Sequence, residues 1–104
     1  MYREGRRFPG TAVVLYVRPT EERRRVGITA GKRFGAAVAR NRAKRRLREA
    51  FRRLEGRLRD RGDLVLVARS AALTVPFDAI VSEVEDLCAA GQMLVGGAPR
   101  ETDR

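Results

Sequence analysis

The sequence contains no histidine and no tryptophan, a single cysteine, and six aromatic residues in all, four Phe and two Tyr. Without histidine, no Ser-His-Asp triad, Cys-His pair or paired-histidine acid and base can be assembled. The lone Cys88 cannot close an internal disulfide, and it has no second cysteine or histidine with which to share a metal. A reducing, cytosolic compartment is the expectation. No uninterrupted apolar run approaches the roughly 20 residues that a membrane span needs. Met1 to Pro9 is charged and lacks the apolar core of a signal peptide.

What the chain has is positive charge, concentrated in one place. Of its 104 residues, 23 are Lys or Arg and 13 are Asp or Glu, a formal net charge of +10. Between Lys32 and Arg61 thirteen basic residues face only Glu49, Glu55 and Asp60, so this window carries the whole excess and the remainder is neutral. Only Lys32 and Lys44 are lysines. The rest are arginines, whose planar fork can contact two phosphate oxygens at once. A local basic surface of this kind implies a polyanionic partner.

The length fits one domain, expected over residues 1–90, with 91–104 as a flexible tail poor in apolar residues. Residues 12–17, AVVLYV, lie between Pro9-Gly10 and Pro19 and read as a strand. Thr20 to Arg25 reads as a polar connection to a second strand over 26–30, the two forming an antiparallel hairpin. Gly31 and Gly35 lead into a helix over about 36–59, with Ala43, Leu47, Ala50, Phe51, Leu54 and Leu58 on one stripe. LVLVA at 64–68 suits a buried strand, which makes a β-α-β crossover between parallel strands. A last helix, with Pro76 in its first turn, places Phe77, Ile80, Val81, Val84, Leu87 and Cys88 on one face. The expected fold is a two-layer α/β sandwich.

The stretch Arg40 to Arg53, RNRAKRRLREAFRR, holds eight basic side chains on the long helix. On a helical wheel Asn41, Lys44, Arg45, Arg48 and Arg52 form one flank of the apolar stripe, and Arg42, Arg46, Arg53 and Arg57 the other. Arg40 falls at the stripe's edge. Most charge runs are solvated faces. Here, however, like charges at i,i+4 such as Arg40/Lys44/Arg48/Arg52 each cost about 0.2–0.5 kcal/mol with few acids to offset them. A purely structural helix would alternate signs, so nucleic-acid binding is the stronger reading. Glu83 and Asp86, at i,i+3, lack a third metal ligand nearby in sequence and read as solvated acids. Cys88, on an apolar face, reads as core. The residues alone describe a basic RNA- or DNA-binding domain without catalytic groups of its own.

The run GITAGKRFGAAVARNRAKRRLREAFR, Gly27 to Arg52, resembles the signature region of the bacterial ribonuclease P protein subunit family, marked by Arg-Asn-Arg followed by Lys-Arg. Arg40, Asn41, Arg42, Lys44, Arg45 and Arg48 occupy the motif, Lys32 and Arg33 match the basic pair before the helix, and DLVLVAR at 63–69 resembles the family's next strand. The resemblance, from about Gly5 to Leu87, implies a mixed sheet and a left-handed β-α-β crossover, against the usual hand. It implies that these eight basic and polar residues bind a catalytic RNA, the ribonuclease P RNA, and that the protein assists 5′ maturation of precursor tRNA. It implies a cleft for the single-stranded 5′ leader, taking Val14, Tyr16, Thr29 and Arg40. Mg2+ is expected with the RNA catalyst, and no metal site, catalytic residue, membrane or obligate protein partner is expected of the protein.

Alternation along the first strand places Val14 and Tyr16 opposite Val13, Leu15 and Val17. Tyr16 is then either a stacking platform for a leader base or an ordinary edge aromatic. Two departures stand out. Family members carry a basic stretch and short helix ahead of the glycine matched by Gly5, whereas Met1-Tyr2 begins near the end of that helix, leaving Tyr2 as a counterpart of one aromatic. Gly31 and Ala36 replace a more usual Ser and a polar or basic residue. The alternative from another class is a ribosomal-type structural RNA-binding protein. A DNA-binding module ranks third, because a helix docked through Leu47, Phe51 and Leu54 is unlike a free major-groove reader.

Overall fold

The computed structural model describes residues 5–31 and 34–95. Four strands and two helices follow in the order β1 Arg6–Pro9, β2 Val13–Arg23, β3 Arg25–Ala30, α1 Ala37–Leu54, β4 Arg61–Ala68 and α2 Phe77–Ala90. Short 3-10 turns at Glu55–Arg57 and Ser70–Leu73 complete them. The sheet order is β1-β2-β4-β3. β4 runs antiparallel to β2 and parallel to β3, so β3-α1-β4 is a crossover between adjacent parallel strands. The mixed two-layer α/β architecture is therefore as expected.

The expected hairpin between the first two long strands is not formed. β2 and β3 do run in opposite senses, with only Arg24 between them, but β4 is inserted and pairs with both. Nor is Thr20 to Arg25 an irregular connection. β2 continues to Arg23, with a register irregularity between the Arg18↔Asp63 and Arg23↔Arg61 pairs. Position by burial accounts for this order. Leu64 and Leu66 are 1% and 0% exposed, and a central strand buries such residues between two paired neighbours.

Residues directly paired across a sheet share a face. Val13, Leu15 and Val17 of β2, Leu64, Leu66 and Ala68 of β4, and Ile28 and Ala30 of β3 face one way, and meet Ala43, Leu47, Ala50, Phe51 and Leu54 of α1 and Ile80, Val84 and Cys88 of α2. This is the core. Both helices lie on that one side. The other face carries Arg7 and Pro9, Val14, Tyr16 and Arg18, Asp63, Val65 and Val67, and Arg25, Gly27 and Thr29.

α1 ends at Leu54 rather than near residue 59. After the 3-10 turn containing Gly56, Leu58 is extended. The guanidinium of Arg24 donates to the carbonyls of Leu58 and Arg59 at 3.3 and 2.8 Å, placing a cation where the chain leaves the helical segment. The chain also stays ordered past residue 91, further than the expected tail allows. α2 closes with Gln92 N–H bonded to the Ala89 carbonyl at 3.0 Å and Met93 N–H to the Cys88 carbonyl at 2.8 Å. This is a Schellman ending with Gln92 at φ 63° in the place glycine usually takes. It returns Met93 to the core and bridges Leu94 to Leu58. Tyr2 and residues 96–104 lie outside the described residues.

Candidate nucleic-acid interface

The two flanks of α1 differ in what they touch. On one, Arg46 donates to the carbonyls of Ala72 and Val75 at 2.7 and 2.8 Å, Arg53 lies 5.1 Å from the centre of the Phe77 ring, and Arg57 pairs with Glu85 at 3.1 Å. Arg46 and Arg53 of α1, and Arg57 of the 3-10 turn that follows it, tie this segment to α2 and to the turn before α2. For Arg46 and Arg57 the expectation of an outward basic surface is corrected, whereas Arg53 is exposed; burial of the backbone beside Arg46 left carbonyls to be satisfied, and its guanidinium fork reaches two at once.

On the other flank Asn41, Arg45 and Arg48 are exposed and Lys44 is half-buried. Together with exposed Arg42 they make no side-chain hydrogen bond or ion pair with the described residues, while Arg52 lies 3.8 Å from Glu49. The helix begins without a side-chain cap at Ala36 and without an acid in its first turn. Its positive dipole end is thus added to the cluster rather than offset. Val38, in that first turn, is 78% exposed. Arg40 is half-buried one turn into the helix, its N–H bonded to the Ala36 carbonyl at 3.1 Å. Lys32 and Arg33 lie outside the described residues.

The structure brings Val14, Tyr16 and Thr29 onto one face, the one without helices. Val14, Val67 and Thr29 form a row across β2, β4 and β3, and Arg7, Tyr16, Val65 and Gly27 form the next, across all four strands. The Arg7 Nε donates to the Tyr16 hydroxyl at 3.3 Å, which steadies an otherwise partly exposed ring. Arg40 does not join them, because α1 packs on the opposite face. What connects the two surfaces is the end of the sheet where β3 and β4 terminate. There a concavity of about 730 Å³ is lined by Thr11, Gly31, Phe34, Val67, Arg69 and Ala71, among others.

Sequence reasoning missed Phe34, Val67 and Arg69. The near-continuous run LVLVA reads as buried on both faces, yet Val65 and Val67 are only half-buried because, among the described residues, no helix covers their side. Reading that run as alternating would have found them. It also missed Asp63, which is 6% exposed and accepts hydrogen bonds from Arg18 and Arg25 at 2.9 to 3.1 Å. The Arg25 hydrogen bond is the chief cause that holds its carboxyl below the ordinary 3.8, against burial, with Arg18 adding to the effect.

Neither acid chemistry nor thiol chemistry is set up. Glu83 is no solvated acid: its Oε2 accepts the N–H groups of Ala12 and Val13, both at 2.8 Å. Cys88 is fully buried, and burial, with the Glu85 charge, pushes its thiol up to about 12. Among the described residues no three Cys, Asp or Glu side chains group to hold a metal ion, and no helix is long and apolar enough to cross a membrane.

The model of the ribonuclease P family matches residues 1–91. A ribonuclease P protein component from Symbiobacterium thermophilum is 45% identical over 93 residues, covering 84% of this chain and 77% of its own. Another from Shouchella clausii is 38% identical, covering 90% and 79%. Among solved structures, the RNase P protein of Staphylococcus aureus superposes with a TM-score of 0.74 at 25% identity, covering 89% of this chain and 86% of that one. That of Thermotoga maritima gives 0.71 at 29% identity, covering 82% of each.

Proposed function

The chain belongs to the ribonuclease P protein family, as a protein component of that tRNA-processing endoribonuclease, and from that premise we propose how its two surfaces divide the work. Residues 1–90 act as one RNA-binding domain in the cytoplasm. The exposed flank of α1, with Arg40, Asn41, Arg42, Lys44, Arg45 and Arg48, and with Lys32 and Arg33 before the helix, binds the RNA subunit of the enzyme. The helix-free sheet face, with Val14, Tyr16 and Thr29, takes the single-stranded 5′ leader of precursor tRNA. The concavity at Phe34 and Arg69 joins the two, so that Arg40 stands at the junction rather than in the floor of the cleft.

The observation that carries this reading is the asymmetry of α1. Arg46 and Arg57 are engaged by contacts within the fold, whereas Arg42, Lys44, Arg45 and Arg48, with Asn41, have no partner among the described residues. Self-repulsion on that flank is relieved when phosphates replace its counterions. Bond cleavage then falls to the RNA and its Mg2+, because the protein offers no histidine and, among the described residues, no acid poised as a base.

The test is reconstitution with the cognate RNA and assay on precursor tRNA at low and high Mg2+. Stimulation of cleavage, with no cleavage by the protein alone, is the expected result; a ribosomal-type structural protein would bind RNA without stimulating. Tyr16→Ala should weaken precursor tRNA binding by about 1–3 kcal/mol and leave mature tRNA, which lacks a leader, unaffected. Equal losses for both would remove the leader from this face.

A further inference from the structure

Arg59 and Arg61 belong to the basic window of the sequence, yet α1 stops at Leu54 and leaves both beyond its end. They stand beside Arg6, at the end of the sheet opposite the one where α1 begins. Arg6 is paired with Val17 and so belongs to the helix-bearing face of the sheet, not the open one. The three exposed arginines line one depression of about 240 Å³, over a floor that includes buried Val17 and Met93. Among the described residues Glu21 is the one acid that lines it.

The backbone around this depression is fixed. The Arg59 N–H bonds the Met93 carbonyl at 2.7 Å and the Val95 N–H bonds the Arg57 carbonyl at 2.9 Å, which ties the Arg59 segment to the chain leaving α2. That chain is pressed onto β1 and β2, since a Cβ at Gly91 would meet Val17 and Phe8 at 3.0 and 3.3 Å. Arg61 donates to the Glu21 carbonyl at 3.0 Å and reaches the Glu21 carboxylate only at 3.5 Å, where that carboxylate is 97% exposed and the pair is worth little. Arg6 has the Phe8 ring at 5.4 Å, and the Arg59 side chain has no partner among the described residues. Nor do these arginines cap α2. The carbonyls of Leu87, Cys88 and Ala89 already accept the N–H groups of Gly91, Met93 and Gln92. Guanidinium groups left over on a rigid frame suit a phosphate. Arg45 lies nine residues before the end of α1, about 14 Å of helix, so a phosphate held here is not one held on the α1 flank.

We infer that Arg6 and Arg59, with Arg61 beside them, bind a backbone phosphate of the RNA subunit at a second contact, separate from the α1 flank. The inference rests on the proposed assignment of that RNA to the exposed flank of α1 and extends it. The RNA subunit then reaches from the start of α1 to the end of α2, and the protein fixes two of its segments relative to each other.

The experiment measures binding of the full chain to its cognate RNA subunit, without tRNA, at several salt concentrations and beside hydroxyl-radical footprints of the RNA. The affinity of the assembled holoenzyme for precursor and mature tRNA is measured alongside. Arg6→Gln and Arg59→Gln should each weaken binding of the RNA subunit by about tenfold and lower the salt slope by about 0.7 to 0.9, the share of one phosphate. The protection they remove should fall on nucleotides other than those uncovered by Arg45→Ala. The losses from Arg45→Ala and Arg59→Gln should add as free energies in the double variant, as separate contacts do. Glu21→Gln, which takes the acid from the rim, should strengthen binding. Thermal unfolding checks the fold, and if a Gln variant at Arg6 or Arg59 fails to fold, Glu21→Gln decides, with unchanged affinity overturning the site. Unchanged affinity and salt slope in folded Arg6→Gln and Arg59→Gln also overturn it. So does a loss confined to tRNA binding by the holoenzyme, which would give the phosphate to the substrate. Arg45→Ala separates the two failures: weakening there alone removes only the second contact, while no effect from any of these changes removes the RNA subunit from the α1 flank as well.

Discussion

The Glu83 carboxylate lies against the backbone of Gly10, so closely that residue 10 has no room for a Cβ. Glu83 cannot move away freely, since its Oε2 is bonded to the N–H groups of Ala12 and Val13. One acid of α2 thereby closes the turn between β1 and β2, some seventy residues away in sequence. Gly10→Ala should destabilise the protein by about 1–3 kcal/mol through overpacking. Glu83→Ala, which leaves two part-buried donors without their acceptor, should cost about 1–3 kcal/mol as well. Urea unfolding of the two single variants and the double variant checks both, and the double should be less than additive because the two share one space.

Neighbouring arginines of α1 should behave oppositely. Arg46→Ala removes the fork from the Ala72 and Val75 carbonyls and should lower stability by about 1–3 kcal/mol. Arg45→Ala, at an exposed position, should leave stability within about 0.5 kcal/mol while weakening RNA binding and flattening its salt dependence. Thermal melts beside filter-binding titrations would distinguish them. An Arg45 variant that melts like the Arg46 variant would contradict the division between flanks.

Acid stability should depend on Asp63. Its folded pKa is depressed by Arg25 and Arg18, so its stabilising contribution is complete above the unfolded value of about 3.9. It is lost as pH falls through the lower, folded value. Asp63→Asn should be less stable at neutral pH and show a shallower loss of stability below about pH 4. Denaturant midpoints measured from neutral pH down to about 2 would show whether the two curves converge.

At the end of α2, Gln92 holds φ 63°, a conformation that costs a residue with a Cβ about 1 kcal/mol relative to glycine. Gln92→Gly should raise stability by about that amount with RNA binding unchanged. A fall in the melting temperature would mean that the Gln92 side chain contributes more than the backbone conformation costs.

Cys88, with its thiol pushed up to about 12, should resist alkylation in the folded protein at neutral pH and react only as the chain unfolds. Labelling by iodoacetamide across a urea titration should follow the unfolding curve; labelling of the native protein would place Cys88 in an opening segment.

Much of this was legible in the sequence because it is local. The period of Ala43, Leu47, Ala50, Phe51 and Leu54 dictates which face of α1 is buried, and alternation along β2 puts Val14 and Tyr16 opposite Leu15 whatever the strand pairs with. The Arg-Asn-Arg run and its lack of interleaved acids are likewise properties of one helix. What tertiary structure alone decided is non-local. That β4 separates β2 from β3 follows from burying Leu64 and Leu66 between two neighbours, a gain no window of sequence contains. That Arg45 faces solvent while Arg46 is spent on the carbonyls of Ala72 and Val75 depends on where another segment leaves its backbone acceptors. Two adjacent arginines are identical as letters, and the difference between them arises from which unsatisfied groups the fold brings within reach.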